Sequence, residues 1–192
     1  MVLPFTPEVV EQAYRHGVFP MAVDGDIYWY QPDPRTIIPL DGFHISKSLR
    51  RTINRQVYEV VFDRDFIQTM EACADRLEGS WINNEFYEVY GALHQRGKAH
   101  SVEAWQEGRL VGGAYGVSLG GAFMAESMFH TATDAGKVAL AALIQRMNER
   151  GFTLLDVQYL TPHLATLGAI EIPHREYMRR LARALTIDAA LI

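Results

Sequence analysis

The stretch from His100 to Phe129, HSVEAWQEGRLVGGAYGVSLGGAFMAESMF, constrains the fold more than any other, because its pattern has period two and glycine-bearing turns interrupt it. Glu107-Gly108 and Gly120-Gly121 cut it into three strand-like runs, the signature of an antiparallel meander. The period then changes. Leu140, Leu143, Ile144 and Met147 follow the i, i+3, i+4, i+7 spacing of a helix, and Gly151 supplies its stop. FTLLDVQYL, from Phe152, reads as one more strand, with Leu154, Asp156, Gln158 and Leu160 on one face.

Upstream of the meander the signals are mostly helical. Thr6 and Pro7 open a short helix that Gly17 and Pro20 stop, and DGDIYWYQPDPRTIIP is rich in turn residues and aromatics, with a boundary near Pro32 to Pro34. Ser46 caps a helix carrying Lys47, Arg50 and Arg51 at i, i+3 and i+4, with Arg55 four residues further, a single cationic ridge. Asp65 to Arg76 and NNEFYEVYGALHQRG read as two more helices, and Arg175 to Leu185 as the last. The length of 192 residues, 48% hydrophobic and 21% charged, suits one domain or a main domain with a small appendage. No apolar run approaches the roughly 18 residues of a spanning helix, so the expectation is a cytosolic protein. The single cysteine, Cys73, excludes an internal disulfide framework and reads as a buried thiol. A net charge of −5 argues against a generally cationic surface but leaves room for a local phosphate-binding stripe.

Two strands flanking one helix thus place polar groups on apolar faces: Glu126 on the first, Asp156 and Gln158 on the second. If the first is regular, Glu126 sits between Met124 and Met128. Burying unpaired carboxylates costs several kcal/mol or raises their pKa values, so something compensates. Either the carboxylates hydrogen-bond within the sheet or to an arginine, or they share a cleft in which Glu126 holds a cationic amine while Asp156 and Gln158 orient or deprotonate a nucleophile. Other chemistries lack their signatures: no HExxH, no cysteine partner for His94 and His100, no Walker loop, no dinucleotide fingerprint and no GxSxG elbow. No metal site is expected.

The ordered motifs YRHGVFPM, WYQPDPRTII, HISKSLRR, CADRLEGSWI, LHQRGKAHSVEAW, LVGGAYGV, AESMFHTATDAGKVAL and LLDVQYLTPHLATLGAIEIPHREYM run from Tyr14 to Met178. Together they resemble the leucyl/phenylalanyl-tRNA-protein transferases over nearly the whole chain. The resemblance implies an α/β (α+β) fold: a small N-terminal domain over residues 1–33, and a GNAT-like catalytic domain, a mixed sheet flanked by helices, over 34–192. It implies transfer of leucine or phenylalanine from aminoacyl-tRNA to the α-amino group of proteins beginning with Arg or Lys, marking them for N-degron degradation. No cofactor is expected, since aminoacyl-tRNA is a substrate, and the expected state is a monomer.

By the same resemblance Glu126, Asp156 and Gln158 are the active-site residues, Glu126 near the α-amino group of the aminoacyl ester and the other two at peptide-bond formation. Phe123, Met128, Leu140, Leu143 and Leu155 match the side-chain pocket. Phe123 and Met128 would face oppositely in a regular strand, so a bulge is expected near Glu126. Trp81 matches an aromatic beside the 3′ adenosine, and Ala114 stands where a methionine is frequent. Lys47, Arg51 and Arg55 match basic positions on the acceptor arm, with Arg50 extending the ridge. Two other classes compete: a GNAT acyl-CoA N-acetyltransferase, whose pyrophosphate loop HTATDAGK does not supply, and an inactive tRNA-binding relative.

Overall fold

The computed structural model describes residues 4–75 and 80–192. The meander forms as read: β5 (Ala99–Gln106), β6 (Arg109–Leu119) and β7 (Ala122–His130) are antiparallel neighbours. Glu107 and Gly108 both adopt positive φ, at 51° and 73°, which lets a two-residue turn follow the twist of its strands. Helix α5 (Ala135–Glu149) then crosses over to β8 (Leu154–Gln158), which pairs parallel to β7. β8 also pairs antiparallel with β3 (Arg35–Ile37), and β3 with β9 (Ile170–Ile172), while β4 (Glu59–Phe62) completes the opposite edge. The resulting order is β4-β5-β6-β7-β8-β3-β9. This is the mixed, helix-flanked α+β sheet that was expected.

Helices α1 (Pro7–Arg15), α3 (Phe66–Ala74), α4 (Asn84–Gln95) and α7 (His174–Ala184) bury Tyr14, Met70, Cys73, Phe86, Tyr90 and Tyr177 against one face of the sheet. The other face is covered by α5 through Leu140, Leu143, Ile144 and Met147. Beside α5 packs α2 (Lys47–Asn54), whose Leu49 is buried. The caps read from the sequence are present: Thr6 Oγ1 accepts from Val9 N at 3.4 Å and Ser46 Oγ from Leu49 N at 3.2 Å, each worth about 1 kcal/mol. Arg76, the last residue of the expected third helix, lies outside the described residues.

Two local expectations need correction. The aromatic segment after Gly17 is not only turn: β1 (Phe19–Val23) and β2 (Asp26–Tyr30) form a separate hairpin, with Asp24 and Gly25 at its positive-φ tip. The strand containing Asp156 ends at Gln158, so Leu160 does not share its face and is exposed.

Candidate active site

The site begins with a register shift. Tyr115 lies opposite Ser127 and Gly116 opposite Ala125, which leaves Glu126 as the extra residue of a bulge. Gly116 makes room for it: a Cβ there would stand 2.3 Å from Met124 O and 2.6 Å from the Phe123 ring. The bulge flips the alternation. Met124 packs in the layer with Tyr90 and Tyr115, whereas Met128 packs with Phe123 and Ala114 on the other side. The bulge expected near Glu126 is therefore present, and the one-face grouping of Met124, Glu126 and Met128 is not.

Glu126 stands inside a hydrogen-bonded chain that runs from Tyr14 through Tyr90 to Gln158. Its Oε2 accepts from Tyr90 OH at 3.2 Å, its Oε1 accepts from Gln158 Nε2 at 3.2 Å, and Tyr14 OH lies 2.7 Å from Tyr90 OH. Gln158 adopts φ 58°, a left-handed conformation unusual for a residue with a side chain. Its backbone N–H donates to Asp156 Oδ1 at 3.0 Å.

Asp156 is fully buried and accepts from Arg35 Nε at 2.9 Å, Arg35 Nη2 at 2.6 Å, Tyr177 OH at 2.8 Å and that same Gln158 N–H. Both its oxygens are engaged. Arg35 is equally buried, donates through Nη1 to Gly17 O at 3.0 Å, and lies between the rings of Phe19 and Tyr177 at 4.7 and 4.6 Å. The arginine partner of the structural reading is thus present for Asp156, and Glu126 is hydrogen-bonded within the fold as well, by Tyr90 and Gln158.

The electrostatics follow from this division. Burial pushes the Glu126 carboxyl up to about 7, hydrogen bonds from Tyr14 and Tyr90 and the Arg35 charge pull against that rise, and the Asp156 charge adds to it. For Arg35, burial opposes the charge but the adjacent Asp156 outweighs it and holds the guanidinium above its ordinary value. Asp156 has both oxygens committed to buried donors, whereas the Glu126 carboxyl meets the cavity with its pKa raised.

Glu126 and Gln158 open onto a cavity of about 300 Å3. Of the sequence-predicted residues, Trp81, Ala114, Met128 and Leu140 also line it. Phe123, Leu143 and Leu155 do not: they are 1%, 0% and 0% exposed and form the packed layer beneath. The resemblance matched them as pocket residues by identity and order alone, and an apolar side chain fits pocket and core equally well. Lys47, Arg50 and Arg51 on α2 and Arg55 at its C-cap are exposed and do not line this cavity, and no ion pair among the described residues engages them. His94 and His100 do approach Asp63, with ligand-capable atoms within 4.8 Å. There His100 Nδ1 is 2.6 Å from Asp63 Oδ2 and His94 Nδ1 is 2.9 Å from Ala99 O, contacts that tie the end of α4 and the segment after β4 to β5.

Family models place this arrangement. The model described as leucyl/phenylalanyl-tRNA protein transferase matches residues 37–182, and that of its N-terminal domain matches residues 4–33. The chain belongs to the leucyl/phenylalanyl-tRNA protein transferase family. A leucyl/phenylalanyl-tRNA–protein transferase of Herpetosiphon aurantiacus is 55% identical, with 98% of this chain and 99% of that one aligned. One from Ruegeria pomeroyi is 53% identical over 96% of this chain and 88% of that one. Among solved structures, L-PGS from Bacillus licheniformis is similar at 17% identity and a TM-score of 0.43, over 82% of this chain and 55% of that one. Within the leucyl/phenylalanyl-tRNA protein transferase family, the resemblance read from the sequence motifs therefore stands.

Proposed function

We propose that this chain transfers the leucyl or phenylalanyl group of an aminoacyl-tRNA to the α-amino group of a protein beginning with Arg or Lys, marking that protein for N-degron degradation. The observation that carries this reading is an acidic side chain, Glu126, hydrogen-bonded to Gln158 at the floor of a largely apolar cavity. Such a cavity takes the donor's apolar side chain, while the carboxylate recognises the ammonium group of the same amino acid. Exposed Lys47, Arg50, Arg51 and Arg55 supply a local stripe for acceptor-arm phosphates on a chain of net charge −5. The family name supports aminoacyl-tRNA as the donor.

In this mechanism the acceptor amine attacks the ester carbonyl, a C–N bond forms, and the C–O bond to the terminal ribose breaks. The proton lost by the amine ends on the departing ribose oxygen. Gln158 donates to Glu126 through Nε2, so its amide oxygen is the group left to accept an N–H of the incoming amine. Asp156, through the Gln158 N–H, holds that amide in place. The ester is already activated, and positioning of the two reactants carries the rate. We place the boundary of the small N-terminal domain at residues 33 and 34, where the two family matches approach each other. Among the described residues no helix is long and apolar enough to cross a membrane, and a cytoplasmic monomer without cofactor fits the proposed reaction.

Purified protein incubated with charged tRNA carrying labelled leucine or phenylalanine and an Arg-initiated peptide should yield a peptide extended by one residue. Binding of charged tRNA without extension would identify an inactive relative instead, and acetyl transfer from acetyl-CoA would identify the N-acetyltransferase alternative. Because Leu140 lines the cavity, Leu140→Phe should lower kcat/KM for phenylalanyl donors more than for leucyl donors, by about tenfold or more, in competition assays with both charged tRNAs. Equal losses for the two donors would remove Leu140 from specificity.

A further inference from the structure

We infer that a second cleft, beside the aminoacyl cavity, carries the phosphodiester backbone of the single-stranded 3′ end of the donor tRNA, with Lys137 and His163 as its phosphate contacts. This rests on the reading of the cavity proposed above. The cleft has a volume of about 500 Å3 and is lined in part by Met128, His130, Thr133, Lys137 and His163. Met128 also lines the aminoacyl cavity, so the two are neighbours that share this side chain as a wall.

At its other end lies α2. Asp134, on the cleft's rim, accepts from Thr52 Oγ1 of that helix at 3.4 Å, and the helix carries the exposed Lys47, Arg50 and Arg51. We place the strand that joins an ester in the cavity to a duplex on this helix along the cleft that adjoins both.

The side chains suit a polyanion. Lys137 Nζ is held 3.0 Å from Asp134 Oδ1, with the lysine 37% and the aspartate 10% exposed, so the cation faces solvent and the carboxylate is tucked behind it. His163, on helix α6 (Pro162–Thr166), has its pKa lowered by burial and then by the charges of Lys137 and His130, which places all three bases within electrostatic reach. A phosphodiester between them would relieve that repulsion. Gly136, also in the lining, lets the first turn of α5 lie close against β7: a Cβ there would stand 2.9 Å from Phe129 O and 3.2 Å from the end of the Met128 side chain.

The test uses the full chain and two stable amide-linked donors: phenylalanyl-adenosine, which has no phosphodiester, and the same compound extended by two nucleotides on its 5′ side. Wild-type protein should bind the extended probe about tenfold tighter or more, with an added salt dependence of about 0.7 in log K per phosphate contacted. Lys137→Ala should remove most of that gain without changing the affinity for phenylalanyl-adenosine, and Lys137→Arg should keep it. The His163 pKa, followed by NMR, should rise with the extended probe alone. Equal affinity of the wild type for both probes, or an undiminished gain and salt slope in Lys137→Ala, would overturn the inference. Failure of phenylalanyl-adenosine itself to bind would instead remove the reading of the cavity, and this path with it.

Discussion

Arg35→Met should unfold with a stability loss of about 3–5 kcal/mol, because it leaves the fully buried Asp156 carboxylate without its cation. For a chain of this size that corresponds to a fall in melting temperature of very roughly 6–20 °C. Transfer should be lost as well, even at temperatures where the variant remains folded. Asp156 would no longer hold the Gln158 backbone N–H with its φ of 58°, and the Gln158 amide would leave its bond to Glu126. Lysine should not rescue activity, since one ammonium cannot reproduce the paired Nε and Nη2 contacts. The double variant Arg35→Met, Asp156→Leu separates the two effects. Removing both charges together should return most of the stability, as apolar replacements of buried pairs often do, while transfer stays lost. Thermal unfolding and single-turnover transfer on the same preparations measure both quantities. A wild-type rate in folded Arg35→Met would show that the ion pair only holds the fold.

Glu126→Gln should behave in the opposite sense for stability. The Glu126 carboxyl has its pKa raised from 4.5 to about 7, so its protonated form contributes stability that is fully present below 4.5 and lost as pH rises through about 7. At pH 8 the wild type therefore carries the cost of an ionised, largely enclosed carboxylate, and glutamine does not. Glu126→Gln should gain roughly 1–3 kcal/mol at pH 8 and little at pH 4 to 5. The same change should weaken binding of an aminoacyl-adenosine analogue by about 10²-fold at pH 8, as expected when a desolvated charge pair is lost. Wild-type affinity for that analogue should itself fall as pH drops below about 7, and the variant's should not share that titration. A residue whose removal stabilises the protein while abolishing substrate placement is held there for function. Unchanged analogue affinity in Glu126→Gln would assign the carboxylate to the fold alone.

The meander, the crossover helix and the caps were legible because each rests on local chemistry: glycine at both turns, a 3.6-residue apolar period, and Thr6 or Ser46 ahead of a helix. The short strands β3 and β9, three residues each, carry too few positions for a period to show. Arg35 was hidden for another reason. It meets Asp156 across 121 residues of sequence, and Tyr14 meets Tyr90 across 76, so no spacing rule connects them. One signal did exist: an arginine directly before Thr-Ile-Ile, in a chain with two carboxylates on apolar faces, is where a compensating cation should be sought. Phe123, Leu143 and Leu155 illustrate the converse. Their identities match a pocket, but only the packing decides which apolar side chains end at a cavity wall and which lie one layer below.

If Arg35, Asp156, Gln158 and Glu126 act as one positioning unit, the coupling between Asp156 and Gln158 should show in single-turnover transfer from charged tRNA to an Arg-initiated peptide. Rates are needed for wild type, Asp156→Asn, Gln158→Ala and the double variant, at a temperature where all four are folded. Each single change should slow transfer by about 10²-fold or more while tRNA affinity stays within about twofold, and the double change should cost far less than the product of the single losses. Wild-type rates in both Asp156→Asn and Gln158→Ala would remove the pair from the reaction.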